Sequence, residues 1–128
     1  MRYKASILLL VVVGMLVFTG CSKKSGAAGA VETYIKALVA RDANALKNAS
    51  CAQWEGDAQV ELDSFTAVSI TLDGLSCQDA GNADNATLVS CTGKIKASYN
   101  GENQELDLSS RTYRAVQEGG DWRMCGYK

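Results

Sequence analysis

The sequence predicts an α+β fold, with N-terminal helices packed on a curved, four-stranded antiparallel meander sheet. Apolar residues in the first part of the domain recur every three or four positions, as in amphipathic helices. After Ser64 they alternate with polar residues, as in strands that bury one face. Clusters of Gly, Asn and Asp separate the alternating segments and are typical of turns. Helices therefore come first along the chain and strands follow, which favours helices covering one face of the sheet.

The sequence predicts three helices in the first part of the domain. The first has an apolar face made of Val31, Tyr34, Ile35 and Leu38. Asp42 is predicted to cap a second, short helix with Ala45, Leu46 and Ala49 on its apolar side. Ser50 is predicted to cap a third helix, from Cys51 to about Asp63, with Trp54, Ala58 and Leu62 facing inward.

The four predicted strands lie in the second half of the chain. They cover 65–77, 86–100, 104–117 and 122–128. The segment "QDAGNADN" between the first two is predicted to be a loop, and "NGEN" and "EGGD" are predicted to be turns.

The N-terminus has the order of a secretory signal peptide. Arg2 and Lys4 precede an apolar run of 12 residues, Ile7–Phe18, and the small residues Thr19 and Gly20 then lead to Cys21. A membrane-spanning helix needs about 20 apolar residues, so this run is short for one. An uncleaved N-terminal anchor is the alternative.

The segment "FTGC" resembles a bacterial lipobox, in which the signal peptide is cleaved before a cysteine whose thiol carries diacylglycerol. The resemblance implies that residues 1–20 are the signal peptide and that Cys21 is the lipidation site. Two or more acyl chains hold a protein stably at a membrane. Residues 21–29 are then predicted to be the lipidated cysteine and a flexible tether, and 30–128 the domain.

The other four cysteines are predicted to form two disulfides, because an exported chain folds where disulfides persist. The first two strands are predicted to form a hairpin that places Cys77 opposite Cys91, and the same register pairs Leu72 with Lys96 and Ile70 with Ser98. Cys51 is then left for Cys125. The rival pairing joins Cys51 to Cys77 and Cys91 to Cys125.

Two longer segments resemble small bacterial lipoproteins of the nuclear-transport-factor-2-like, or cystatin-like, fold, whose molecular role is not established. They are "VETYIKALVARDANALKNASCAQWEGDA" and "RTYRAVQEGGDWRMCGY". The resemblance implies a strongly bent sheet that wraps the first helix into a cone, with a mouth that can open into a pocket. Enzymatic members place Asp, His or Tyr there, whereas this chain has no histidine and no Asp or Tyr in a recognisable catalytic motif.

Aromatic side chains are the candidates for lining a pocket, because a ring combines a large apolar area with a polar tip. They are Tyr34, Trp54, Tyr113 and Trp122. The alternative is that these rings are ordinary core residues. The acids of the helical part are interpreted as a helix cap, Asp42, and as a solvated helix face, "EGDAQVELD", which contains Glu61.

Several classes of function are not predicted. No metal site or cofactor is expected, because the chain has no histidine and no C-x-x-C pair. Nucleic acid is not an expected partner, since 13 basic and 14 acidic residues are dispersed along the chain.

The sequence favours a non-enzymatic binding or interaction module, anchored by lipid on the extracytoplasmic side of a bacterial envelope membrane. Its expected partners are the membrane itself, an envelope protein or second copy, and a small apolar ligand. The alternatives are an isomerase or cyclase acting on a lipophilic substrate, and a dimerising structural module.

Overall fold

The computed structural model describes residues 26–128, so the predicted signal peptide and Cys21 lie outside the described residues. Three helices come first and five strands follow: α1 (Gly26–Ala40), α2 (Ala43–Ala49), α3 (Glu55–Ser64), β1 (Ser69–Ala83), β2 (Ala86–Tyr99), β3 (Glu102–Asp107), β4 (Thr112–Glu118) and β5 (Asp121–Tyr127). A single 3-10 turn, Leu108–Ser110, separates β3 from β4. The predicted α+β plan is confirmed.

Helix α1 begins at Gly26, inside the segment predicted to be a flexible tether. The side chains of Ala27 and Ala28 are buried, and the Ala28 backbone N–H donates to the Asp79 carboxylate over 3.2 Å. One turn later the Glu32 carboxylate accepts from the Cys77 backbone N–H over 2.9 Å. Because these contacts with β1 fix the first turns of α1, the described domain begins five positions after Cys21.

The apolar faces of α1 and α2 form one side of the core. All four residues of the predicted α1 face are at most 2 % exposed. The Asp42 carboxylate caps α2 by accepting the Ala45 N–H over 2.9 Å, as predicted. The largest fully buried side chains include Val31, Tyr34, Ile35, Leu46, Val89, Leu108, Tyr113 and Met124.

Helix α3 starts four residues later than the sequence predicts. Ser50 does not cap it, because the Ser50 hydroxyl donates back to the Leu46 carbonyl, and Ser50 forms a parallel bridge with Met124. The next residue, Cys51, donates its N–H to the Met124 carbonyl. The segment after α2 is therefore held against β5, and the helix begins at Glu55. Of the three inward side chains predicted, Ala58 and Leu62 are buried on the helix, whereas Trp54 lies just before it at the N-cap position.

The sheet has five strands and is not strongly curled, so the prediction of four strands in a cone is wrong in both respects. Its order is β1-β2-β4-β5, and β3 also pairs with β2. The predicted strand 104–117 is divided because Leu108 turns into the core and Asp107 caps the 3-10 turn through the Ser109 N–H. Strand β2 is long enough to pair with β3 along one half and with β4 along the other.

The predicted loop "QDAGNADN" is mostly strand. β1 continues to Ala83, and only Asp84 and Asn85 form the turn, with φ values of 51° and 62°. Two consecutive positive φ values are typical of the two-residue hairpin turn that matches the twist of the strands. Asn100–Gly101 and Gly119–Gly120 have the same signature and join β2 to β3 and β4 to β5.

The register of the first hairpin is predicted correctly at the cysteines and wrongly nearer the start of β1. Cys77 lies opposite Cys91, but Leu72 pairs with Ile95 and Ile70 with Ala97. A bulge between Asp73 and Ser76 shifts the register. At this point the backbones approach so closely that a Cβ on Gly93 would lie 2.6 Å from the Asp73 carbonyl oxygen.

Two disulfides link the domain, in the pairing preferred from the sequence. Cys77–Cys91 joins the first two strands within their hairpin, and Cys51–Cys125 joins the segment after α2 to β5. The rival pairing is thereby excluded. Cys51, Cys77 and Cys91 are at most 1 % exposed, so both bonds lie within the packed interior.

Candidate functional site

A polar and aromatic cluster around Glu61 joins the helical layer to the sheet. We call it the Glu61 cluster, and its members are Tyr34, Trp54, Glu61, Arg111, Tyr113 and Tyr127. Glu61 Oε2 accepts the Tyr34 hydroxyl over 2.6 Å. Its Oε1 accepts the Arg111 guanidinium over 3.1 Å and the Tyr127 hydroxyl over 3.2 Å. A single carboxylate therefore connects α1, α3, β5 and the residue before β4.

Ring contacts complete the Glu61 cluster. The Arg111 guanidinium carbon lies 4.0 Å from the centre of the Tyr127 ring, within the range of a cation–π contact. The Tyr127 ring packs edge-on against Trp54 and Tyr113, with ring centres 5.6 and 5.8 Å apart. The Trp54 indole N–H donates to the Tyr34 hydroxyl over 3.2 Å, so that hydroxyl is both donor and acceptor.

Burial governs the protonation of the three tyrosines in the cluster. It raises the pKa of Tyr34 far above its ordinary value, and the negative charge of Glu61 adds to the shift. Burial also raises the pKa of Tyr113 to about 12, against the opposing charge of Arg111. The pKa of Tyr127 is raised by burial and then by Glu61. The phenols therefore stay protonated at neutral pH, and those of Tyr34 and Tyr127 donate hydrogen bonds to Glu61.

The arrangement is suited to holding elements together. Both oxygens of Glu61 accept hydrogen bonds, and its side chain is only 13 % exposed. Tyr34, Tyr127 and Arg111 together fill three of the roughly four acceptor positions of this carboxylate, so a substrate would compete with them for it.

The structure brings three of the four predicted pocket residues together. Tyr34, Trp54 and Tyr113 belong to the Glu61 cluster, where Tyr34 and Tyr113 are 1 % and 2 % exposed. Trp122 lies elsewhere, near the start of β5, and lines open grooves beside the first turn of α1 and the β1–β2 turn.

Sequence reasoning missed Glu61 and Arg111, which lie 50 positions apart. Glu61 was interpreted as part of a solvated face. Its position in the sequence indicates otherwise, because Glu61 lies three positions after Ala58 and directly before Leu62. It therefore lies at the border of the inward face of α3.

Among residues 26–128, no group of three or more potential ligands is placed to hold a metal ion. No helix in the part of the chain that the structure describes is both long and apolar enough to cross a membrane.

Raising the pH above about 10 is expected to lower the free energy of unfolding, because an unfolded chain loses its phenolic protons there. The folded domain keeps the Tyr113 proton until about pH 12. Since the folded pKa lies above the unfolded one, this contribution is complete below pH 10 and is lost as the pH rises toward 12. Urea unfolding at a series of pH values measures the decline.

Tyr113→Phe should flatten that decline, and substitution of the exposed Tyr99 by Phe is the matched control. A Tyr113→Phe variant with the same decline as the unaltered domain would contradict the assignment.

Comparisons with known proteins support the fold alone. No protein-family model matches the chain, and no curated protein matches it. A solved structure, the solution structure of a SEC-C motif containing protein from Rhodopseudomonas palustris, is similar with a TM-score of 0.50 and 10 % sequence identity. The match covers 78 % of this chain and 75 % of that one.

Proposed function

We propose that this chain is a lipid-anchored lipoprotein of the bacterial cell envelope whose domain acts outside the cytoplasm as a non-enzymatic binding or interaction module. The observation that carries the proposal is the use of the cysteines. Four of the five cysteines form disulfides within the packed domain, and the fifth, Cys21, belongs to the lipobox-like segment. Disulfides of this kind persist in oxidising compartments outside the cytosol.

The Glu61 cluster supports a role without catalysis. Three donors occupy most of the acceptor positions of its carboxylate, and the raised pKa values of its tyrosines make their phenols weaker acids. An isomerase or cyclase acting on a lipophilic substrate would need an acid or base free to exchange a proton with that substrate. Membership of the nuclear-transport-factor-2-like superfamily, with an envelope protein, a second copy or a small apolar molecule as ligand, remains part of the proposal.

The lipidation of Cys21 is tested by expressing the full chain in a bacterium that processes lipoproteins. The N-terminal peptide of the purified protein is expected to begin at Cys21 and to carry the mass of a thioether-linked diacylglycerol. Cys21→Ser is expected to lack that mass and to retain the uncleaved leader. Mass is the deciding measurement, because the uncleaved apolar leader can itself hold the variant at the membrane.

The matched control is the state of the remaining cysteines. Both proteins should show the Cys51–Cys125 and Cys77–Cys91 peptides without reduction. An unmodified Cys21 thiol in the exported wild-type protein would refute the proposal, as would free thiols at the other four cysteines.

A further inference from the structure

The start of α1 and two hairpin turns lie close together at one end of the domain. An open groove of about 500 Å³ is lined by Gly26 and Gly29 of α1 together with Gly120 and Trp122. A second groove places Trp122 beside the β1–β2 turn at Asp84–Asn85. We call this surface the anchored end, and it comprises Gly26, Asp84–Asn85, Gly119–Gly120 and Trp122.

The short tether limits how far the anchored end can move from Cys21. Four residues, 22–25, lie between Cys21 and Gly26. Even a fully extended chain therefore spans at most about 18 Å from Cys21 to Gly26. Because Ala27 and Ala28 are buried and Ala28 is bonded to Asp79, the tether cannot be lengthened without breaking the packing of α1.

The opposite end of the sheet lies much farther away. Strand β1 has 15 residues, and its first residue, Ser69, pairs with Ser98 next to the β2–β3 turn. At about 3.3 Å per residue, β1 extends at most about 45 Å from the anchored end. The tether is therefore short in comparison with the domain, and a lipid at Cys21 holds one particular end at the membrane.

The chemistry of the anchored end fits lipid headgroups. Trp122 is half-buried there, and tryptophan favours the membrane interface because its ring is apolar while its N–H is polar. Arg123 lies next to it, with its guanidinium bonded to the Asn48 carbonyl. Of the acids at this end, Asp121 lies 3.8 Å from the Arg123 guanidinium, and Lys23 and Lys24 precede Gly26 in the sequence.

We propose that the anchored end rests on the lipid headgroups of the membrane that holds the acyl chains, with Trp122 at headgroup depth. The end that carries Tyr99, which is 55 % exposed, then points away from the membrane and is presented to partners. This inference rests on the lipidation of Cys21 proposed above.

The two tryptophans of the chain provide the test. The full processed lipoprotein is added to preformed phosphatidylcholine vesicles with or without a lipid that carries a nitroxide on its headgroup. Trp54→Phe leaves Trp122 as the only indole, and Trp122→Phe leaves Trp54. Quenching of about twofold is expected for Trp122 and little for Trp54, which packs at Gly126 farther along β5.

If Trp54→Phe fails to fold, the protein with both tryptophans is compared with Trp122→Phe instead. Trp122→Phe should then remove most of the quenching. Tyr99→Trp in a Trp54→Phe, Trp122→Phe background reports on the far end and should remain unquenched.

The possible failures are distinguishable. Absence of the lipid mass at Cys21 would overturn the proposed function and this inference with it. A lipidated protein in which Trp122 is unquenched would overturn only the orientation. Equal quenching of Trp122 and of the indole at position 99 would mean that the domain lies on its side. That result would also overturn the proposed orientation.

Discussion

Replacing Cys51 and Cys125 together by alanine is expected to lower the free energy of unfolding by about 4 to 5 kcal/mol, through the entropy that the unfolded chain regains. The two residues are 74 positions apart, so this bond closes most of the domain into one loop. Stabilities of natural domains are about 5–15 kcal/mol in total. The expected loss is therefore a large share of the stability of a typical domain. Urea titration of the domain without its first 21 residues measures the loss.

The matched control is the double substitution of Cys77 and Cys91 by alanine. Their separation is only 14 positions, and the smaller loop predicts a loss of about 3 kcal/mol. Cys77 and Cys91 are both almost fully buried, whereas Cys125 is only half-buried, so the loss of packing is greater in the control and works against the expected order. A larger loss from the hairpin bond than from Cys51–Cys125 would contradict the account based on chain entropy.

Glu61→Gln is expected to lower the free energy of unfolding by about 3 kcal/mol, because it leaves a mostly buried cation without its partner. The amide keeps one acceptor oxygen, whereas the carboxylate accepts from Tyr34, Tyr127 and Arg111. Tyr34 is 1 % exposed, so water cannot replace the lost acceptor. Urea titration measures the loss, and the edge-on contact of Trp54 with Tyr127 should weaken with it.

The control for Glu61→Gln lies on the same helix. Asp57→Asn also removes one negative charge from α3, but Asp57 is exposed, and we expect a change of only a few tenths of a kcal/mol. The double variant Glu61→Gln, Arg111→Gln should lose less than the sum of the single variants, because the two side chains interact directly. Additive losses would show that the ion pair does not hold the Glu61 cluster together.

Local patterns predicted the elements whose signals lie within a few residues. The apolar face of α1, the Asp42 cap and the pairing of Cys77 with Cys91 all follow from the periodicity of the side chains and the order of the strands. The bulge near Gly74 was not predictable in the same way, because it depends on the close approach of Gly93 from the neighbouring strand. The register beyond the bulge was consequently wrong by one residue.

Features that depend on distant partners were missed. Residues 26–29 read as a tether because they are small, and only the carboxylate of Asp79 and the packing of the alanines reveal a helix. "QDAGNADN" contains many turn formers, yet two of its residues suffice for the turn. The ion pair of Glu61 with Arg111 joins α3 to the start of β4, and no local pattern connects those two positions.

The contact between α1 and β1 also affects how copies of the protein behave when they are crowded. β1 is an edge strand, and an exposed edge can recruit a strand from a neighbouring molecule. Glu32 occupies the backbone donor of Cys77, which closes that stretch of the edge to strand addition. α1 therefore protects this stretch of the edge from pairing with a strand of a neighbouring molecule.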